Sequence, residues 1–292
     1  MSVAVVYLAR GVDGGLEALR GFFESYEAHD AGVGHVLYVL FKGWDGVEGV
    51  DEARALVEAH DGVRLVELPD DGFDFGAYGR AVEVVEEEFV CFLNTHSLIE
   101  VQGWLGFLIE ALRESDVGLV GCTASYGTIV REGKFIWPLS VDIGRNRGWH
   151  KGIYNFFKAW AGCVLFYPWD RQFPSFPNPH IRSNAFGLRT AVFRGFMAGK
   201  EYPQNKRAAF QLESGYGGMT RFVQGKGLRA VVVNDAGDVF SDDAFLESET
   251  FRVPQGQRCL VSDNQTRYYA DLAANEKRLS EMLAWGRMIT KV

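Results

Sequence analysis

Apolar and polar positions follow two different periods along the first part of the chain. Val3 to Ala9 is a continuous apolar run, the pattern of a strand covered on both faces. Leu16, Leu19, Phe23 and Tyr26 then recur at helical spacing. The alternation repeats: a strand over His35 to Phe41, a helix over Asp51 to His60 with Asp51 as its N-cap, and a strand over Val63 to Leu68 closed by Pro69. It repeats again with a helix over Gly76 to Glu88, a strand over Phe89 to Leu93, a helix over Gly103 to Arg113 and a strand over Val117 to Cys122. Strand and helix in regular succession predict an α/β fold, a mainly parallel sheet with helices on both faces. Ligands of such sheets bind beyond the carboxyl ends of the strands.

The regularity stops near residue 123. Tyr126 to Phe176 holds 13 aromatic residues, seven Lys or Arg and three Asp or Glu, with many Gly and Pro. Long irregular segments in compact folds are usually functional or disordered, and this aromatic content argues against disorder. Beyond it, Ile181 to Leu188 reads as a strand, Thr190 to Met197 and Met219 to Gln224 as short helices, and Leu228 to Val233 as a last strand. The tail from Gln265 to Trp285 is amphipathic, and Ser262 and Gln265 stand at capping-box spacing.

Composition removes several classes. With 47% hydrophobic and 23% charged residues in 292, the chain is globular rather than disordered, collagenous or coiled coil. The net charge of -8 disfavours nucleic acid as a general partner, although a local basic patch remains compatible with it. Cys91, Cys122, Cys163 and Cys259 form no CxxC pair, so reduced, buried thiols are expected. No run reaches the ~18 apolar residues of a membrane helix, and the first ten residues lack a signal-peptide pattern. A soluble, cytoplasmic protein without membrane insertion is the expectation. No GxGxxG follows the first strand, which disfavours a dinucleotide-binding oxidoreductase.

The stretch from Asp70 to Ile99 carries the most chemistry: a Gly-rich turn, a helix with an early Arg80, a strand, then polar residues at the strand's end. It resembles the nucleotide-binding half of GT-A glycosyltransferases, in particular the family 2 type and the related rhamnan-synthesis enzymes. The segment GWLGFLIEALRESDVGLVGC resembles the helix and strand that follow in that family. His180 to Arg189 resembles its acceptor-side strand, and Glu213-Ser214, Arg221 and GKGLRAVVV resemble its Glu-Asp motif, helix and final strand. The resemblance spans about residues 3 to 235. It implies one GT-A domain: a Rossmann-like nucleotide-sugar-binding half over 1–122, an acceptor-binding half over 123–240, and an extension with an amphipathic helix over 241–292.

What the resemblance implies for function is transfer of a sugar from a nucleotide diphosphate donor (UDP-, dTDP- or GDP-sugar) to a hydroxyl, with inversion. Glu213 is then the candidate base, because the family's Asp is here Ser214. On the donor side fall Leu8, Ala9 and Arg10 at the end of the first strand, Lys42, Asp71, Asp74 and Arg80, and the turn Asn94, Thr95 and His96. That turn stands where the family carries Asp-x-Asp, which holds a divalent cation on the diphosphate. Asn and His are neutral, so Asn94 and His96 would hold Mn²⁺ or Mg²⁺ weakly, or His96 would donate to a phosphate oxygen itself, or it caps a turn. Trp44 could stack on the base or lie on the surface. Trp137, Arg145, Arg147, His150, Lys151, His180 and Arg182 are candidates for the acceptor or the leaving diphosphate. The acceptor could be a glycan, a small molecule or modified DNA. Two other readings stay open: a non-catalytic nucleotide-sugar or glycan-binding relative, and a DNA-modifying glycosyltransferase acting on hydroxymethylated bases.

Overall fold

The computed structural model describes residues 2–129, 140–141, 144–145, 148–165 and 171–291. Strands β1 (Val3–Arg10), β2 (Val36–Lys42), β3 (Arg64–Leu68) and β4 (Phe89–Leu93) alternate with helices α1 (Gly15–Ala28), α2 (Val50–Glu58) and α3 (Phe73–Val84). After a short β5 (Leu98–Ile99) come α4 (Trp104–Arg113), β6 (Val117–Gly121) and β7 (Ala124–Ser125), then α5 (Trp149–Leu165) and β8 (His180–Ile181). The remainder is β9 (Ala185–Arg189), α6 (Thr190–Met197), α7 (Lys206–Ser214), α8 (Met219–Gln224), β10 (Arg229–Val233), β11 (Val239–Phe240), β12 (Val261–Ser262), α9 (Asn264–Asp271) and α10 (Ala274–Trp285).

Eight strands form one sheet in the order β11-β10-β6-β9-β4-β1-β2-β3. β1 runs parallel to β2 and β4, β2 to β3, and β6 to β10, whereas β9 lies antiparallel between β4 and β6. The fold is thus mixed α/β with a large, mostly parallel sheet. The chain builds outward from β1 through β2 and β3, then crosses to β4 on the other side, which opens a crevice at the carboxyl ends of β1 and β4.

Successive side chains of β1 enter opposite cores. Val3, Val5, Tyr7 and Ala9 join Phe22, Ala53, Val57 and Leu108 on one face; Ala4, Val6 and Leu8 join Phe75, Tyr78, Phe193 and Val223 on the other. That double burial explains the uninterrupted apolar run. Tyr7 stacks on Phe22 with centroids 3.7 Å apart, and its hydroxyl donates to the Thr95 carbonyl at 2.8 Å, which ties α1 and β1 to the turn after β4.

Several boundaries differ from the expected ones for local reasons. The N-cap of α2 is Gly49, in a left-handed conformation at φ 80°, and Asp51 sits inside the first turn. α3 starts at Phe73 because Gly72 adopts φ 71°, and it ends by Val85 because residues 85–88 must reach the sheet; there the Glu88 carbonyl accepts from the Thr190 amide. The expected strand over Ile181 to Leu188 is two strands, β8 and β9, separated by Arg182, Ser183 and Asn184. The tail is two helices, and its capping box uses Asp263 with Thr266 rather than Ser262 with Gln265. Cys91, Cys122 and Cys259 are buried free thiols; the side chain of Cys163 lies outside the described residues. Among the described residues no helix is long and apolar enough to cross a membrane.

Candidate functional site

The tip of β4 is a compact polar turn. The Asn94 side-chain oxygen accepts from the His96 amide at 3.2 Å and from the Ser97 hydroxyl at 3.0 Å, so it shapes the turn, and among the described residues its NH₂ has no acceptor. Thr95 is buried, its carbonyl taken by Tyr7. His96 Nε2 lies 3.1 Å from Asp13 Oδ1, and the His96 carbonyl accepts from Arg267 at 2.9 Å. Asp13 belongs to the loop after β1, where Gly14 at φ 89° runs against His96: a Cβ there would fall 3.1 Å from His96 Cε1.

Leu8 and Ala9 are wholly buried, so only Arg10 of that trio carries a side chain to the crevice. Its guanidinium is bidentate on Asp70, at 3.0 and 3.3 Å. Lys42 is buried beneath the loop before α3, where its ammonium donates to the carbonyls of Asp71 at 2.7 Å and Phe73 at 2.9 Å; burial, then Arg10, push its pKa down. Lys42 therefore shapes the donor-side loop from below. Arg80 pairs with Asp71 at 2.7 Å and lies 4.3 Å from the ring centre of Tyr202. Trp44 is core: it stacks on Phe41 at 4.7 Å and donates its indole N–H to the Ala9 carbonyl, so it is neither a surface residue nor a stacking platform.

No hydrogen bond reaches the Asp74 carboxyl among the described residues. Burial raises its pKa; Lys42 and Arg10 oppose the rise, and Asp13 and Glu213 reinforce it.

Glu213, in the last turn of α7, accepts from the Ser183 amide at 2.8 Å and from the Ser183 hydroxyl, both on Oε2. It lines a cavity of about 430 Å³ together with Asn94, His180, Arg182, Asn184, Arg252 and Asp263. Gly121 makes room for this wall, since a Cβ there would lie 2.3 Å from Ile181 Cγ2 and push β8 away. His180 Nδ1 sits 2.8 Å from the Asn178 carbonyl, which can only accept, so Nδ1 carries the proton and the neutral ring keeps a lone pair on Nε2. Burial lowers the His180 pKa, with Glu213 opposing and Arg182 assisting.

A pH dependence follows from that sign. Unfolded His180 titrates near its ordinary 6.5, the folded ring lower, so the unfolded state binds more protons in the window between. His180 therefore leaves stability unchanged above that window and reduces it as pH falls below about 6.5. Urea midpoints measured from pH 7.5 to 5 should show a decline that is shallower in His180→Gln; identical slopes would reject the assignment.

Arg182 donates to Thr123 Oγ1 at 3.1 Å and to Asp263 Oδ2 at 2.9 Å. Burial pushes the Asp263 carboxyl up, yet Arg182 and the Thr266 amide outweigh it and hold the pKa below the usual range. Asp263 and Arg252 were not legible as site residues. They arrive because β12 pairs with β5, Ser262 opposite Leu98, which lays the following residue beside the β4 turn. The neighbouring Ser183 and Asn184 fall within the expected acceptor-side strand, at the break that the structure introduces.

The other expected residues are not gathered here. Arg145, His150 and Lys151 are exposed and do not line this cavity. Trp137 and Arg147 lie outside the described residues. For a divalent cation the donor atoms fall short: Asn94 commits its oxygen to the turn, leaving His96 and Asp13 as a two-member pair. Among the described residues no three His, Cys, Asp or Glu side chains are grouped to hold a metal.

Fold and site together define an open α/β protein with a polar cavity past the ends of the central strands, where an antiparallel strand interrupts the parallel order. No protein-family model and no curated protein matches the chain. Among solved structures it is similar to the mannosyltransferase PcManGT from Pyrobaculum calidifontis in complex with GDP-Man and Mn²⁺, at 13% identity and a TM-score of 0.45, over 78% of this chain and 53% of that one. It is also similar to S. aureus TarS 1-349 (12%, TM-score 0.44, 86% of this chain and 64% of that one) and to an active-site mutant of LgtC (12%, 0.42, 79% and 72%). The chain thus covers about half of the Pyrobaculum protein. These likenesses are of chain path, and the activities of those proteins do not follow from them.

Proposed function

We propose that the protein is a GT-A-type glycosyltransferase that moves a sugar from a nucleotide diphosphate to a hydroxyl. The observation that carries the reading is one cavity walled by both the Asn94 turn of β4 and the Glu213 carboxylate of α7. Two segments that resemble donor and acceptor motifs, 119 positions apart in the chain (213 − 94), therefore share one space. In this reading the donor lies across the carboxyl ends of β1 and β4, with the base and ribose toward Arg10, Asp70, Asp71 and Arg80. The halves 1–122 and 123–240 act as donor and acceptor sides of a single domain.

Glu213 is the base. Ser183 holds one carboxylate oxygen, which leaves Oε1 to accept the acceptor proton. The acceptor oxygen bonds to the anomeric carbon as the bond to the donor phosphate oxygen breaks, and the electron pair leaves with the nucleoside diphosphate. Attack from the face opposite the leaving group inverts that carbon. Asn94, whose NH₂ has no acceptor among the described residues, is a donor suited to a phosphate or sugar oxygen. A donor reaching Asn94 and an acceptor at Glu213 would meet in the cavity that both residues line, which supplies the proximity such a reaction needs.

The direct test is binding. UDP-, dTDP- and GDP-sugars, each added at about a hundred times its dissociation constant, should stabilise the fold by about 2.7 kcal/mol for the cognate base, read as a thermal shift. A panel without any shift would reject the reading.

A further inference from the structure

The cavity is electrostatically lopsided beside Phe251. The guanidinium carbons of Arg182 and Arg252 lie 4.0 and 4.8 Å from the ring centre of the same residue, Phe251. Both line the cavity beside Asp263, which Arg182 takes; the other carboxylate of the lining, Glu213, is held by Ser183. Among the described residues Arg252 forms no ion pair; its guanidinium makes one long hydrogen bond, to the Ser280 carbonyl at 3.3 Å. Burial, with Arg182 assisting, pushes the Arg252 pKa down to about 10, the signature of a cation short of countercharge. Lys206 adds a third cation to the lining, and the buried Asn184 side-chain nitrogen in the wall has no partner among the described residues. Leaving such groups unmatched is costly unless a ligand meets them.

We propose that the Arg182–Arg252 corner is a phosphate-binding subsite and, resting on the transferase reading above, that the sugar acceptor carries this phosphate. Guanidinium pairs suit phosphate because their forked donors match its oxygens. The corner belongs to the acceptor rather than the donor by its place. Arg252 comes from the C-terminal segment, and the same cavity is lined by Glu213 and by Leu283 and Ala284 of that segment. Of the donor-side residues only Asn94 lines the same cavity; Arg10, Asp71, Asp74 and Arg80 do not. A phosphate held here would fix the acceptor with its hydroxyl toward Glu213.

The experiment is calorimetric titration of the full chain with inorganic phosphate at constant ionic strength, in parallel with Arg252→Met. Saturable binding is expected, weakened about tenfold or more in the variant, while nucleotide-sugar binding stays unchanged. The ligand-free variant should melt no lower than the parent, since the substitution removes an unpaired cation. If the variant does not fold, the parent still decides through displacement of phosphate by the acceptor analogue glycerol 3-phosphate. Absence of saturable phosphate binding, or equal binding in both proteins, overturns the proposal. Competition between phosphate and UDP or GDP assigns the corner to the leaving nucleotide and overturns the acceptor assignment. Failure of every nucleotide-sugar to bind would instead sink the transferase reading while leaving the phosphate arm readable.

Discussion

Glu213→Gln is expected to lower the transfer rate by about 10²–10⁴-fold while leaving donor affinity near that of the parent. The substitution is nearly isosteric. A glutamine carbonyl can accept the same two hydrogen bonds from Ser183, so the end of α7 and the break between β8 and β9 should keep their shape. What disappears is the capacity to take a proton at Oε1. Steady-state transfer and donor binding measured on the same preparation separate the two effects. A fall in kcat with constant donor affinity supports the base, and unchanged turnover removes Glu213 from the chemistry.

Asp263→Ala should cost about 3–5 kcal/mol of stability, the range for breaking a buried ion pair from one side. Its side chain is 2% exposed and that of Arg182 13%. Removal strands Arg182, leaves Arg252 without its nearest countercharge, and deletes the N-cap that accepts from the Thr266 amide at 2.9 Å. The cap alone accounts for about 1 kcal/mol. Urea unfolding should therefore show a much lower midpoint, and adding Arg252→Met should restore part of it, because one of the stranded cations is gone. A loss near the value of the cap alone, with no recovery in the double variant, would show that the charges do not depend on Asp263.

Much of the framework was legible from the pattern. β4 and the helices α6 and α8 stand at their expected limits, and the strands around β1 lie within a residue or two, because buried strands and amphipathic helices write their periods directly into the chain. The miscast cap at Asp51 has a physical cause: a left-handed glycine can end the loop without a side-chain acceptor. Trp44 and Lys42 misled for the opposite reason. A tryptophan and a lysine after a strand read as surface or ligand groups, yet both are buried here with their polar atoms satisfied by backbone carbonyls.

By itself the chain determined the alternation of strands and helices, the burial of β1 on both faces and the presence of a carboxylate at Glu213, since each depends on neighbours a few residues away. Only the tertiary structure decided that β9 enters the sheet antiparallel, that Asn94 and Glu213 share one cavity, and that Arg252 and Asp263 join its lining. Those contacts join residues 80 to 170 positions apart, where no periodicity carries information. They exist because β12 finds its partner in β5 and because the Arg182 guanidinium pairs with the buried Asp263.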